Sequence, residues 1–250
     1  MDVAEVNRRL IHGYAAVPYE AGPIVWSHPA RLGALGVMAG LTPASPERCR
    51  VLELGCANGA NLLAMALTCP DAELLGLDLS PAQIEEGSRT AAELGAHNLR
   101  LEVQDIGTAL GSLGEYDYIL AHEVFTFVPP AIQADLLEIC RRHLAPHGLA
   151  YISLDVNPLH KVRQSVHDLL RFLGQGLGGP ALPAQVRPLL PSLVERFAGT
   201  ESLFPFLVRG ELERMSQLSL AQLYHQDLPE VHTPLYFHEF YAQLTDHGLA

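Results

Sequence analysis

The chain has 250 residues, of which 48% are hydrophobic and 18% charged. That is enough apolar material for a sizeable core and too much for a chain that is mainly disordered. The formal net charge is −12, and Lys and Arg cluster nowhere beyond the pairs Arg8, Arg9 and Arg141, Arg142. Nucleic acid is therefore disfavoured as a substrate, because holding phosphates needs a basic face.

The first residues lack the apolar run of a signal peptide. No stretch approaches the roughly 20 apolar residues of a membrane span. The expectation is a soluble, cytoplasmic protein with no membrane partner. The cysteines Cys49, Cys56, Cys69 and Cys140 form no CxxC pair and read as buried thiols in a reducing compartment.

Residues 1–45 are rich in Gly, Pro and aromatics and read as an irregular appendage, with a helix from Ala30 to Leu41. From Arg50 the pattern alternates between strand and helix. A strand over Arg50–Leu54 meets a glycine turn at Gly55–Gly59, and a helix follows from Asn61 to Thr68. Ala72–Leu77 is a second strand ending on Asp78. Ser80 and Pro81 read as an N-cap and a first-turn proline, and that helix closes at Gly95. Leu99–Val103 and Tyr116–Ala121 are further strands. Pro130 opens another helix, residues 145–148 read as a turn, and Leu149–Leu154 is a fifth strand. Strand–helix alternation predicts a parallel sheet with right-handed crossovers. Beyond Pro158 the strand signal disappears. Residues 160–230 look helical, with a long Gly- and Pro-rich loop over Gly174–Pro191. A last helix, Tyr236–Thr245, precedes Gly248 and Leu249, which would start a strand where the chain stops.

Three signals carry chemistry. Glu53-Leu-Gly55-Cys56-Ala57-Asn58-Gly59 is a strand end, a glycine turn and a helix start, whose free N–H groups suit a carboxylate or phosphate. Its glycine spacing is not the GxGxxG of dinucleotide-binding folds. Asp78 closes the second strand, where an acid can accept both ribose hydroxyls. Asp105, followed by Ile106, suits an adenine: the carboxylate accepts from the exocyclic amine and the apolar side chain packs the ring. Three acids closing three successive strands say more together than any one of them alone.

Residues 50–155 resemble the class I S-adenosylmethionine (SAM) dependent methyltransferases, on Glu53–Asn61, on Gly76–Gly87, on the pair Asp105 and Ile106, and on Leu144–Ser153. The motif's central glycine is Ala57 here. Tyr14, Val17–Glu20, His28, Pro29 and Leu32, then His122–Val124, Phe127–Pro129 and Pro234–Phe240, resemble a bacterial group that bears a methyltransferase regulatory domain. After the fifth strand the chain departs from that group, with Asp155 and Pro158–His160. The resemblance implies a Rossmann-like α/β fold whose full sheet has seven strands; only five are readable here, so the expectation is an incomplete sheet ordered 3-2-1-4-5, without strands six and seven. Residues 1–157 would form the SAM-binding core, with a lid over 1–45, and residues 158–250 a mainly helical cap over the acceptor site. Tyr19, Glu53, Gly55, Cys56, Ala57, Asn58, Asp78, Leu79, Gln83, Asp105, Ile106 and His122 would bind SAM or its product S-adenosylhomocysteine. Tyr14 and Tyr19 would close over the methionine end. His122, just past the fourth strand, could serve as a base. The acceptor would be a protein lysine or a small metabolite, and the open edge of strand five invites a homodimer. The rival reading is a SAM- or nucleoside-binding module without turnover. No His pair shows HExxH or i, i+4 spacing beside acids, so no metal is expected.

Overall fold

The computed structural model describes residues 3–199 and 202–249. It divides into two compact units, each with its own core. Residues 21–154 and 238–249 form an α/β unit, and residues 3–20 and 155–237 form a helical unit.

In chain order the first element, helix α1 (Val3–Ala16), belongs to the helical unit; α2 (Pro29–Met38) opens the α/β unit. Next come β1 (Arg50–Leu54), α3 (Ala60–Thr68), β2 (Glu73–Asp78), α4 (Pro81–Glu93), β3 (Leu99–Val103) and the one-turn helix α5 (Ile106–Ala109). Then β4 (Tyr116–Ala121), α6 (Pro130–His143) and β5 (Leu144–Ile152) complete a five-stranded sheet ordered β3-β2-β1-β4-β5. All its pairings are parallel. Strands in such a sheet are covered on both faces. Accordingly Val51, Leu74, Tyr118 and Leu120 pack with Leu62, Met65 and Ile84 in one buried cluster. Leu52, Leu54 and Ile119, on the alternate positions, are also buried. The sheet order is as the sequence implied.

Some local readings need correction. Residues 145–148 are not a turn ahead of β5 but a bulge inside it. Between the pairs Tyr116–Leu144 and Tyr118–Leu149, β5 advances five residues while β4 advances two, and His147 takes a φ of +62° to make room. Residues 3–16 are helical rather than irregular. The helix is anchored in the helical unit, where Gly13 sits so close to Tyr224 that a Cβ would lie 1.9 Å from the phenol oxygen. Leu249 is not in a strand.

The helical unit continues with β6 (Val156–Asn157), α7 (His160–Leu173), α8 (Ala181–Val186), α9 (Leu190–Arg196), α10 (Leu203–Ser216) and α11 (Leu220–Gln222), which runs on into a π-helical turn at Leu223–Asp227. The stretch expected as one long loop thus contains α8, whose Leu182 and Val186 join Val166, Leu170, Leu190, Val208, Leu212 and Met215 in a second core. Pro183 sits within the first turn, where proline costs no hydrogen bond. β7 (Leu235–Tyr236) pairs with β6 as a separate two-stranded parallel sheet. The last helix, α12 (Phe237–Asp246), places Phe240 edge-on to Phe125 in the α/β unit, ring centres 5.1 Å apart.

Candidate cofactor site

The glycine turn between β1 and α3 is held from below by β2. The N–H groups of Gly55 and Cys56 both donate to the Leu77 carbonyl. The N–H of Ala57 donates to Asp78 Oδ2 at 2.9 Å, and Ser80 N–H donates to Oδ1 at 2.8 Å. Asp78 is thus the brace of the turn before it meets any ligand. Burial pushes its carboxyl up, opposed by the N–H groups of Ser80, Ala57 and Leu79. Each oxygen keeps a further lone pair for a hydroxyl donor.

Gly55, Ala57 and Gly59 all have positive φ, near +71°, +51° and +71°. Only at Ala57 is the left-handed conformation held by a residue with a Cβ. At Gly55 a Cβ would come within 2.5 Å of Val124 Cγ2, and at Gly59 within 2.7 Å of Leu101. Asn58 Oδ1 accepts from Ala60 N–H, capping the first turn of α3. The Asn58 carbonyl in turn lies against Gly87 of α4, 2.1 Å from where a Cβ would stand. Cys56 is buried beside Gly76, and burial, with Asp78 and Glu53, raises its thiol far above the ordinary range.

Glu53 is 3% exposed. Its Oε1 accepts from Asn61 Nδ2 at 2.8 Å. The same amide nitrogen reaches Ser27 Oγ at 3.1 Å, and Asn61 Oδ1 accepts from Ile24 N–H at 2.8 Å. Glu53 therefore acts through Asn61 to tie the 24–27 segment to the glycine turn. Its Oε2 is buried without a protein partner. Burial, with Asp78 adding to it against the Asn61 bond, moves the carboxyl up to about 7.

At the β2–α4 junction Ser80 caps the helix and Leu79 is half-buried. Gln83 is 2% exposed, with both heteroatoms of its amide lacking a protein partner. Asp105 is the N-cap of α5, its Oδ1 accepting from Gly107 N–H at 2.9 Å, and Ile106 is buried behind it. Past β4, His122 stacks on Tyr151 and shares a 3.1 Å hydrogen bond between Nδ1 and the phenol. Burial lowers the imidazole, with Glu123 opposing, and raises the Tyr151 phenol. Glu123 has a φ of +53°, and its N–H donates to Ser153 Oγ at 2.7 Å. All these groups stand at or just past the carboxyl ends of their strands, where parallel sheets bind ligands. A recess lined by Arg50, Glu73, His97 and Arg100 lies at the strands' opposite ends and takes no part in this arrangement.

Residues 51–148 match the family model described as a methyltransferase domain. The chain is 31% identical to the uncharacterized protein RP028 of Rickettsia prowazekii, over 91% of each protein. The chain belongs to the class I SAM-dependent methyltransferases. It is also 30% identical to the uncharacterized protein RP789 of the same organism, over 94% of this chain and 43% of that one. The structure of PKMT2 from Rickettsia typhi in complex with AdoHcy superposes with a TM-score of 0.83 at 28% identity, over 92% of this chain and 44% of that one. The chain thus spans less than half the length of RP789 and of PKMT2.

SAM is the family's methyl donor, and the residues present fit it. Asp78 offers lone pairs at the end of β2, the positive-φ turn keeps side chains out of the approach to α3, and the buried Gln83 amide offers a donor and an acceptor. Tyr19, also expected to meet the cofactor, belongs to the other unit. It lies in the helical unit, edge-on to His225, on which Tyr14 stacks, while His225 Nε2 bonds the Val17 carbonyl. Asn61 and Tyr151 escaped the sequence reading, since nothing in a residue's type reveals a partner eight or 29 positions away. No metal was expected from histidine spacing, yet three histidines gather in the helical unit. His160, His167 and His232 each offer a nitrogen within 4.8 Å of the others'.

Proposed function

We propose that this methyltransferase transfers the methyl group of SAM to a lysine side chain of a protein acceptor. The observation that supports the reading is the match to PKMT2, a name that we read as that of a protein lysine methyltransferase. It extends over 92% of this chain at a TM-score of 0.83, and so beyond the methyltransferase domain itself.

When bound, SAM supplies an electrophilic methyl carbon on a sulfonium. In the proposed assignment Asp78 takes the ribose hydroxyls, Asp105 and Ile106 the adenine, and the turn Gly55–Gly59 the methionine end. Cys56, Ala57 and Asn58 contribute backbone there, while Leu79 and Gln83 line the β2–α4 side. Glu53 positions the turn through Asn61. A lysine attacks only as the free amine, so a proton must leave before transfer. His122 is the group assigned to receive it. Its lowered basicity leaves the ring neutral near pH 7, and Tyr151 fixes its orientation through Nδ1. Alignment of amine and methyl carbon supplies most of the acceleration in such a displacement.

The test is to incubate the protein with trideuteromethyl-SAM and a host extract separated into protein and metabolite fractions. Mass spectrometry should find the heavy methyl on lysine Nε. Label confined to small molecules would refute the lysine assignment. SAM binding with no labelled product in either fraction would favour a module without turnover.

A further inference from the structure

We propose that His160, His167 and His232 form a binding site for a divalent transition-metal ion of the zinc class, built wholly within the helical unit. The donors converge from three places. His160 opens α7, and His167 lies two turns on along the same helix face. His232 comes from the segment between the π-helical turn and β7. The ring centres of His160 and His232 are 4.5 Å apart, those of His167 and His232 5.9 Å, and those of His160 and His167 6.1 Å. One nitrogen of each ring lies within 4.8 Å of the other two, a spread that side-chain rotations can close around an ion at about 2.0–2.1 Å from each nitrogen.

A carboxylate faces every ring. Asp155 Oδ2 is 2.8 Å from His232 Nε2, and Asp155 Oδ1 is 3.8 Å from His160 Nδ1. Asp227 Oδ1 is 3.6 Å from His167 Nε2. Asp155 thus stands behind His160 and His232 as the usual outer-shell carboxylate of a zinc site, which sets the tautomer and the ring angle, while Asp227 lies on the Nε2 side of His167. The rings are nearly sealed from solvent, with His160 and His167 each 5% exposed. Even so, Nε2 of His160 has no hydrogen-bond partner, and Nε2 of His167 has only the 3.6 Å approach of Asp227 Oδ1, too long for a hydrogen bond. Contacts between rings and carboxylates alone leave His160 Nε2 unsatisfied and His167 Nε2 only weakly paired, which is costly for buried imidazole nitrogens. An ion uses them. The local charge suits a cation too: Asp155, Asp227 and Glu211 bring three carboxylates, against the guanidinium groups of Arg163 and Arg214. Three imidazoles favour zinc, copper, iron or nickel over magnesium or calcium. The bound ion would cross-link the start of α7 to the chain leading into β7, pinning the small β6–β7 sheet.

The test uses the full chain, stripped with a chelator and dialysed. Zinc is titrated in competition with a chromophoric chelator, and cobalt(II) in parallel by its visible absorption. One equivalent of zinc should bind, the cobalt complex should show the intense bands of low-coordinate nitrogen ligation, and zinc should raise the unfolding midpoint. His232→Gln, on a loop, should abolish stoichiometric binding. Asp155→Asn should weaken it about 10- to 100-fold. His12→Gln, on an exposed face of α1, should leave it unchanged. Absence of the cobalt bands in the wild-type protein would overturn the site whether or not the variants fold. So would zinc binding that survives His232→Gln.

Discussion

Glu53→Gln isolates a buried carboxyl of the cofactor unit whose burial has an energetic consequence that pH can read. In the folded protein the group titrates near 7, against an ordinary 4.5. The difference, at 1.36 kcal/mol per pK unit, corresponds to about 3 kcal/mol. Because the folded-state value is raised, the native protein holds a proton that the unfolded chain has released between about pH 4.5 and 7. This group therefore destabilises the fold progressively as pH climbs through that window, and its full cost is felt above 7. Gln keeps the oxygen that accepts from Asn61 Nδ2 and removes the ionisation. Urea unfolding of the ligand-free protein from about pH 4.5 to 8.5 gives the stability of both forms. The variant's stability minus that of the wild type should rise by about 3 kcal/mol across the window, while the m-values stay equal. A difference that does not change with pH would show that Glu53 ionises normally and that its burial is relieved by contacts not seen here.

Two further variants probe the same turn. Asp78→Ala removes a charged acceptor worth about 1.5–3 kcal/mol, so calorimetry should find SAM binding weakened roughly 10- to 100-fold with the fold retained; unchanged affinity would remove Asp78 from the ribose. Gly87→Ala would favour α4 by helix propensity, but its Cβ meets the Asn58 carbonyl at 2.1 Å. The variant should lose about 1–3 kcal/mol in thermal or denaturant unfolding, with weaker SAM binding as the turn shifts, and a variant as stable as wild type would contradict the close approach.

Much of the cofactor half was legible in the sequence because its signals are local. β1, β3 and β4 fall on the residues that alternation and glycine spacing mark, and each acid that ends a strand is placed by its own strand and the turn after it. Ser80 followed by Pro81 announces α4 in the same way. The bulge in β5 was not legible, since Ala145–Gly148 has turn chemistry and only pairing with β4 draws it into the sheet. Helix α1 was hidden for a related reason: its place is set by Tyr224 and His225, some 200 residues later.

The sequence by itself determined the strands, the glycine turn and the acids that end the strands, because hydrogen bonding between neighbours along the chain and strand periodicity act over a few positions. Tertiary structure alone decided what those residues lean on and what else the chain assembles. Glu53 meets Asn61 and, through it, Ser27; His122 meets Tyr151; His232 reaches His160 and His167 across some 65 residues. Such meetings carry no period or spacing in the sequence. They exist only once the two cores have buried their apolar faces, and the polar groups carried inside must then find one another.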